Sequence, residues 1–288
     1  MHCRLLNRWL FMALLGSASS ARSQGIVAVS AADFGQGMPT GGSIVTLFLA
    51  GLTGVDQIKI GPIGPLPREL AGVSVAIGGR PAPLFAIAPV AGFFQINAQV
   101  PIDAVAEGTT MPVRVDQGDL TIRASIPLRS TSPGEFFRLN GAAGIFQRAN
   151  DGYSLVTASN PGRPGDVLVT YLTGLPAGLP RVADGEPSPA QPLSVVPQYN
   201  EIFGSEAFFI VVNGQQVTPL FVGLTPGLMG VHQVNFVLPL ATSSSASTTE
   251  ITLLRLSCRA IFGSCRSGGG ATRTMNRSTP VLLPVRWD

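Results

Sequence analysis

Two stretches of this sequence decide its fold: GFFQINAQVP at 92–101 and GVHQVNFVLP at 230–239. Each begins with glycine and carries Gln-x-Asn at the same spacing. The residues of the two motifs are Gln95, Asn97, Gln233 and Asn235. A motif that returns after a domain-sized interval indicates an internal duplication, because the repeat is far too long for a solenoid.

Two further blocks repeat in the same order. SIVTLFLAGL at 43–52 is similar to DVLVTYLTGL at 166–175, and VAIGGRPAPLF at 75–85 is similar to VVNGQQVTPLF at 211–221. Three blocks in one order predict a tandem duplication. The 75–85 and 211–221 copies each contain a pair that suits a two-residue hairpin turn, in which both central residues need positive φ. The predicted turns are Gly78-Gly79 and Asn213-Gly214.

The composition is typical of an all-β protein. Hydrophobic residues make up 45% of the chain and charged residues 12%, which is too apolar for a disordered chain. The 34 glycines and 24 prolines are spread along the sequence, where they punctuate short strands and turns rather than long helices. We therefore predict two tandem immunoglobulin-like β-sandwich domains, the first at 24–129 and the second at 130–288.

The N-terminus has the pattern of an export signal. Arg4 and Arg8 precede the apolar run WLFMALLG at 9–16, and the small residues SASSA at 17–21 suit a cleavage site. The apolar run is too short to span a bilayer. We predict a signal peptide at 1–23, a secreted or cell-surface location, and no membrane span in the mature chain.

A long basic loop distinguishes the second predicted domain from the first. The short turn at 117–119 has its counterpart in a predicted loop at 258–278. An oxidising compartment favours a disulfide between Cys258 and Cys265, with two free thiols as the alternative. Its arginines make the loop a candidate contact surface for an anionic partner. They are Arg259, Arg266, Arg273 and Arg277.

These motifs together resemble the Solibacter-type uncharacterised C-terminal domain family of exported bacterial proteins, with repeats similar to the IPT/TIG type of immunoglobulin-like domain. The resemblance implies a secreted or surface module with no assigned activity, and it carries no catalytic residues. The basic cysteine loop departs from the family pattern. The blocks that carry the resemblance are TLFLAGL (46–52), GVSVAIGGRPAPLF (72–85), GFFQINAQVP (92–101), NDGYSLVTASNPGRPGD (150–166), VADGEPSP (182–189) and TPGLMGVHQVNFVLP (225–239).

The residues needed for catalysis are scarce. His232 is the only histidine outside the leader, and its repeat partner is Phe94, which favours a packing position over a catalytic one. Neither a G-x-S-x-G elbow nor a nucleotide fingerprint occurs. The acids lie scattered on predicted turns, and the turn at 150–152 is a weak calcium candidate. We predict no enzymatic activity, no cofactor and no metal site, and we find no stripe of basic and aromatic residues typical of nucleic-acid binding.

The Gln-x-Asn pairs have two interpretations. Residues i and i+2 of a strand share a face, so the amides could bind a sugar or a protein partner. They could equally hold neighbouring backbone, and their presence in both copies favours this structural interpretation.

The sequence predicts a non-catalytic interaction module that binds an extracellular protein or an anionic polysaccharide. A purely structural spacer or assembly domain is the alternative. An unrecognised extracellular hydrolase, using two converging carboxylates, is the third hypothesis.

Overall fold

A computed structural model describes residues 25–129, 134–197, 206–240, 247–259 and 272–286. The predicted signal peptide lies outside the described residues. The described chain folds into 23 strands and no helix, so it is all-β as predicted. It therefore contains no helix of the length and apolarity needed to cross a membrane.

The chain divides into two compact units. Unit 1 contains the described residues up to 129 together with Arg181–Pro192 and Thr225–Val231. Unit 2 contains the described parts of Thr131–Pro180, Leu193–Leu224 and His232–Asp288. Two segments of the second half of the sequence thus belong to unit 1, which a boundary drawn at a single point near residue 130 does not anticipate.

Unit 1 consists of two sheets. One has the strand order β1-β2-β8-β7-β3, and the other has the order β10-β9-β5-β4, with β6 paired to β5. Alternate residues of both sheets enter one apolar core, as Val45 and Leu47 of β2 and Val73 and Val75 of β5 illustrate. The strands are β1 Val27–Ser30, β2 Ile44–Leu49, β3 Lys59–Ile60, β4 Glu69–Leu70, β5 Val73–Ile77, β6 Arg80–Pro81, β7 Leu84–Val90, β8 Phe93–Gln99, β9 Thr110–Gln117 and β10 Leu120–Pro127.

Unit 2 also consists of two sheets around one core. The first has the order β15-β14-β16-β20-β19 with β11 on β16, and the second has the order β12-β13-β23-β21-β17-β18 with β22 on β21. The strands are β11 Glu135–Phe136, β12 Arg138–Asn140, β13 Ala143–Gly144, β14 Phe146–Arg148, β15 Ser154–Leu155, β16 Val167–Thr173, β17 Glu206–Val212, β18 Gln215–Val217, β19 Phe221–Leu224, β20 His232–Val237, β21 Thr248–Arg259, β22 Thr272–Arg277 and β23 Val281–Pro284.

The repeated blocks occupy strands with matching pairing. Thr46 of β2 lies opposite Asn97 of β8, and Val169 of β16 lies opposite Asn235 of β20. These positions coincide when the two sequence repeats are superimposed. The all-β, two-sheet architecture of each unit is consistent with a β-sandwich.

Both predicted hairpin turns are confirmed. Gly78 and Gly79 have φ of 57° and 74° and connect β5 to β6, while Asn213 and Gly214 have φ of 46° and 82° and connect β17 to β18. The paired turns place Ile77 at the same position as Val212, one residue away from the block alignment made by sequence. This shift keeps the buried residues of β5 and β17 on equivalent faces.

The structure corrects the predicted loop at 258–278. β21 continues to Arg259, and β22 pairs with it from Thr272 onward, so both described ends of this stretch are strand. β22 and β23 line the same side of β21, as β10 lines β9. The glycine run had favoured a loop, but an added length of paired strand absorbs part of the insertion.

Candidate anion-binding face

The residues proposed as the contact loop are only partly described. Cys265 and Arg266 lie outside the described residues, and for Cys258, Arg259 and Arg273 only the backbone is described. Arg277 is exposed at the end of β22. The disulfide and the contact loop therefore stay predictions.

The amides of the first Gln-x-Asn motif are buried in the protein. Gln95 is 3% exposed and Asn97 is 4% exposed. The Oδ1 atom of Asn97 accepts a hydrogen bond from Gln95 Nε2 at 3.1 Å and another from Thr46 Oγ1 at 3.0 Å. This arrangement uses the amide oxygen inside the sheet face, away from any external ligand.

The second motif repeats only part of this network. Gln233 Nε2 donates to Asn235 Oδ1 at 2.8 Å, and both side chains are half-buried. Val169 lies where Thr46 lies in unit 1, so the hydroxyl donor is lost. Nearby, burial raises the pKa of Tyr171 and the neighbouring Tyr153 raises it further, while the Tyr171 hydroxyl donates to Gln147 Oε1 at 2.7 Å.

The VADGEPSP block at 182–189 bonds to Gln99 of β8 and to Ile102 within unit 1. The backbone N–H of Gly185 donates to Gln99 Oε1 at 2.6 Å, and the carboxylate of Asp184 accepts from the N–H of Ile102 at 3.0 Å. The carboxylate of Asp184 is thus engaged in a structural bond to the backbone.

His232 is a buried, uncharged side chain in unit 2. It is 3% exposed, and neither ring nitrogen makes a hydrogen bond of normal geometry with any described residue. Burial lowers the pKa of His232 to about 4, and the backbone of Pro176 lies near enough to oppose that shift in part without forming a bond of normal geometry. A neutral imidazole without an orienting partner does not have the geometry of a general base.

The turn at 150–152 is arranged around the guanidinium group of Arg148 rather than around a site for a metal ion. Asp151 Oδ2 accepts from Ser154 Oγ at 2.7 Å and lies 3.9 Å from Arg148 Nη1. Arg148 is 7% exposed and donates from Nε to Asp166 Oδ2 at 2.7 Å. A permanent positive charge beside the carboxylates opposes calcium binding. Among the described residues no three acids, cysteines or histidines cluster as metal ligands.

The outer face of the β9–β10 hairpin in unit 1 carries charged and small side chains. Met111, Val113 and Val115 of β9 point into the core, so Arg114 and Asp116 point outward. On β10, Arg123 and Ser125 are exposed in the same alternation.

Two arginines face each other across this hairpin. Arg114 pairs in register with Arg123, and the turn consists of Gly118 and Asp119 between the paired Gln117 and Leu120. In a two-residue hairpin the pair that flanks the turn is hydrogen-bonded, and the pairs then alternate. The arginine pair is therefore a non-hydrogen-bonded pair, in which Cα atoms lie about 4.5 Å apart and side chains are closest.

The two guanidinium groups differ in their partners. Arg114 Nε donates to Asp116 Oδ2 at 2.8 Å, and Thr121 Oγ1 holds the other oxygen of that carboxylate at 2.8 Å. The Nη groups of Arg114 and the whole guanidinium of Arg123 have no partner within the described part of the chain. Arg123 is thus a surface cation without an ion-pair partner among the described residues.

A surface concavity of about 660 Å³ opens beside this pair. Its walls lie on β5, β9, β10 and the segment around Val105, all within unit 1. Gly78 is required in the wall, because a Cβ there would lie 2.4 Å from the backbone nitrogen of Val105. The lining residues are Ala76, Gly78, Gly79, Val105, Glu107, Pro112, Val113, Arg114, Arg123, Ala124 and Ser125.

This arrangement can bind an anion. The small side chain of Ala76 leaves the guanidinium groups accessible, Ser125 adds a hydroxyl, and Glu107 supplies an acceptor for a ligand hydroxyl. Like charges directly opposite on neighbouring strands are unfavourable, so an anion that bridges them gains affinity from relieving that repulsion.

The sequence contained a signal for this pair that had been overlooked. Arg114 and Arg123 lie at equal distances from the Gly118-Asp119 turn, so a two-residue hairpin places them opposite one another. The arginines of the 258–278 stretch are concentrated along the sequence, whereas Arg114 and Arg123 come together only across strands.

No protein-family model matches this chain, and no curated protein matches it. Among solved structures it is similar to the endo-fucoidan hydrolase MfFcnA9 from glycoside hydrolase family 107, with 10% identity and a TM-score of 0.14 over 94% of this chain and 36% of that one. A second is the endo-fucoidan hydrolase MfFcnA4 from the same family, with 12% identity and a TM-score of 0.15 over 86% of this chain and 27% of that one. The chain thus spans about a third of these structures, and such TM-scores establish neither a shared fold nor a shared activity.

Proposed function

We propose that this protein is a secreted or cell-surface, non-catalytic module that binds an anionic polysaccharide through the β9–β10 face of unit 1. The observation that carries the proposal is the register pair of Arg114 and Arg123 beside an open concavity, where Arg123 has no hydrogen-bond or ion-pair partner among the described residues. Because arginine stays charged and donates through a planar fork, it suits acidic groups on a ligand.

A polysaccharide fits this face better than a protein does. The lining is mostly small or polar, and Val105, at 62% exposed, is the one large apolar side chain exposed there among the described lining residues. Protein interfaces concentrate apolar and aromatic anchors at their centre, whereas this face offers charged donors, a hydroxyl and a carboxylate.

The architecture and location complete the proposal. We propose that the two units are tandem immunoglobulin-like sandwiches of the IPT/TIG type, within the Solibacter-type family that the sequence resembles. The leader pattern at 1–23 supports export, and the Cys258–Cys265 pair would suit an oxidising compartment. Export places the binding face where acidic surface polysaccharides occur.

Retention on immobilised heparin, a polysaccharide with both sulfate and carboxylate groups, tests the function. The double variant Arg114→Gln with Arg123→Gln should elute at clearly lower salt than the wild type, because two arginine contacts to sulfate or carboxylate groups are lost. The matched control is Arg163→Gln with Arg181→Gln, which removes the same charge from exposed positions elsewhere.

The same column separates the remaining hypotheses. Equal elution of the double variant and its control would overturn the proposed site. If retention is lost only when Arg259, Arg266, Arg273 and Arg277 are replaced by serine, the binding site lies in the 258–278 stretch instead. Absence of retention for the wild type at low salt would favour the structural spacer.

A further inference from the structure

We infer that the arginine pair selects sulfate esters over carboxylates, so that the ligand is a sulfated polysaccharide. This inference rests on the proposed function and specifies its ligand. It starts from the geometry of the hairpin, because the non-hydrogen-bonded register brings the two side chains close enough to converge on one group.

The number of available donors favours a group with three acceptor oxygens. Asp116 occupies only the Nε of Arg114, which leaves both Nη groups of Arg114 and the full fork of Arg123 for the ligand. A carboxylate has two oxygens, and one guanidinium group in bidentate geometry occupies both of them. A sulfate ester has three terminal oxygens, so it can accept from both arginines at once.

The carboxylate of Asp116 also favours a sulfate ligand over a carboxylate ligand. Asp116 is 28% exposed and already supplies the acid that pairs with Arg114. A ligand carboxylate would compete with that internal one for an equivalent contact, whereas a sulfate that bridges Arg114 and Arg123 makes a contact that Asp116 does not make. Thr121 fixes Asp116 by a 2.8 Å hydrogen bond, so the internal pair stays in place when the ligand binds.

Three polymers with one backbone test the selectivity. Dextran, carboxymethyl dextran and dextran sulfate, matched for chain length and charge density, are titrated into the full mature chain at fixed ionic strength. We expect dextran sulfate to bind at least tenfold more tightly than carboxymethyl dextran, and we expect no binding of dextran. The variant Arg123→Gln should reduce that preference to threefold or less, while Arg163→Gln should leave it unchanged.

The outcomes separate this inference from the proposed function. Equal or tighter binding of carboxymethyl dextran, still sensitive to Arg123→Gln, would overturn the sulfate selectivity and keep the anionic face. Binding of neither charged polymer would overturn both. Retained selectivity in Arg123→Gln would also contradict the inference, because it would place sulfate recognition elsewhere. Circular dichroism and thermal unfolding of each variant confirm that the protein remains folded.

Discussion

The outer faces of two equivalent sheets in this protein have opposite character. In unit 1 the positions are Ser74, Ala76, Arg114 and Asp116, on β5 and β9. In unit 2 the equivalent positions, on β17 and β21, are Phe209, Val211, Thr252 and Leu254. Val211 is 3% exposed and Leu254 is 1% exposed, although both point away from the core that Ile210 and Leu253 enter.

The comparison shows which part of a duplicated fold can diverge. The inward residues of both units are apolar because both cores require it. The outward positions differ, because those of unit 1 carry charged side chains on the surface whereas Val211 and Leu254 of unit 2 are buried and must stay apolar. Function should be sought where the copies differ, and the charged face of unit 1 is the accessible one.

The largest expected effect on stability comes from exchanging the residue types at one pair of equivalent outward positions, Asp116 in unit 1 and Leu254 in unit 2. Leu254→Asp should destabilise the protein by more than about 4 kcal/mol, because it places an unpaired charge at a fully buried site. The reverse change, Asp116→Leu, should cost at most about 1 kcal/mol, since it removes only a partly exposed ion pair. Urea unfolding measures the loss of stability in both variants, and similar losses would contradict the predicted difference between the two faces.

The second prediction concerns the repeat partners His232 and Phe94. The pKa of His232 falls from its usual 6.5 to about 4 in the folded protein, so the unfolded chain binds more protons between these values. Stability should therefore be greatest above pH 6.5 and decline by up to about 3 kcal/mol as the pH falls toward 4.

The variant His232→Phe provides the control for that pH dependence. It introduces the residue found in unit 1, and it removes no hydrogen bond of normal geometry among the described residues. It should abolish the decline in stability between pH 6.5 and 4. If the variant keeps the same pH profile, other groups are responsible for it.

Replacing the asparagine of each Gln-x-Asn motif by alanine should have a smaller effect on stability, and the effect should be larger in unit 1 than in unit 2. Asn97→Ala should cost about 2 kcal/mol, because it leaves the buried Thr46 hydroxyl without its acceptor. Asn235→Ala should cost about 1 kcal/mol, because its site is half-buried and Val169 supplies no hydroxyl. Thermal unfolding of the two variants tests whether the stability of unit 1 depends more on its amides than that of unit 2 does. Equal losses of stability in the two variants would contradict this prediction.

The smallest expected effect is a gain in the stability of unit 1. Arg123→Gln removes a like-charge pair from neighbouring strands, so it should raise the stability of unit 1 by a few tenths of a kcal/mol at low salt. The gain should fade at high salt as the charges are screened. A loss of stability at low salt would mean that Arg123 has a structural role.

The sequence was sufficient for the features that depend on local pattern. The all-β class follows from the distribution of glycine and proline, and the two hairpin turns follow from Gly78-Gly79 and Asn213-Gly214. The equivalent pairing of β2 with β8 and of β16 with β20 follows from the repeated blocks.

Features that depend on contacts between distant segments were not predictable in this way. No local pattern indicates that Gly185 bonds to Gln99 or that Arg181–Pro192 belongs to unit 1. β22 was obscured by the neighbouring glycines, since strand pairing with β21 overrides a weak local propensity. The arginine pair required the register of β9 and β10 before its meaning could be recognised.

The measurement that tests the central claim most directly is an NMR titration of the labelled mature protein with a short sulfated oligosaccharide. If the β9–β10 face binds the ligand, the amide shifts will change mainly in the residues around the concavity, which are 76–79, 105–107, 112–114 and 123–125. The double variant Arg114→Gln with Arg123→Gln should remove these changes. Shifts confined to unit 2, or to the C-terminal arm around β22, would contradict the assignment of the binding face to unit 1.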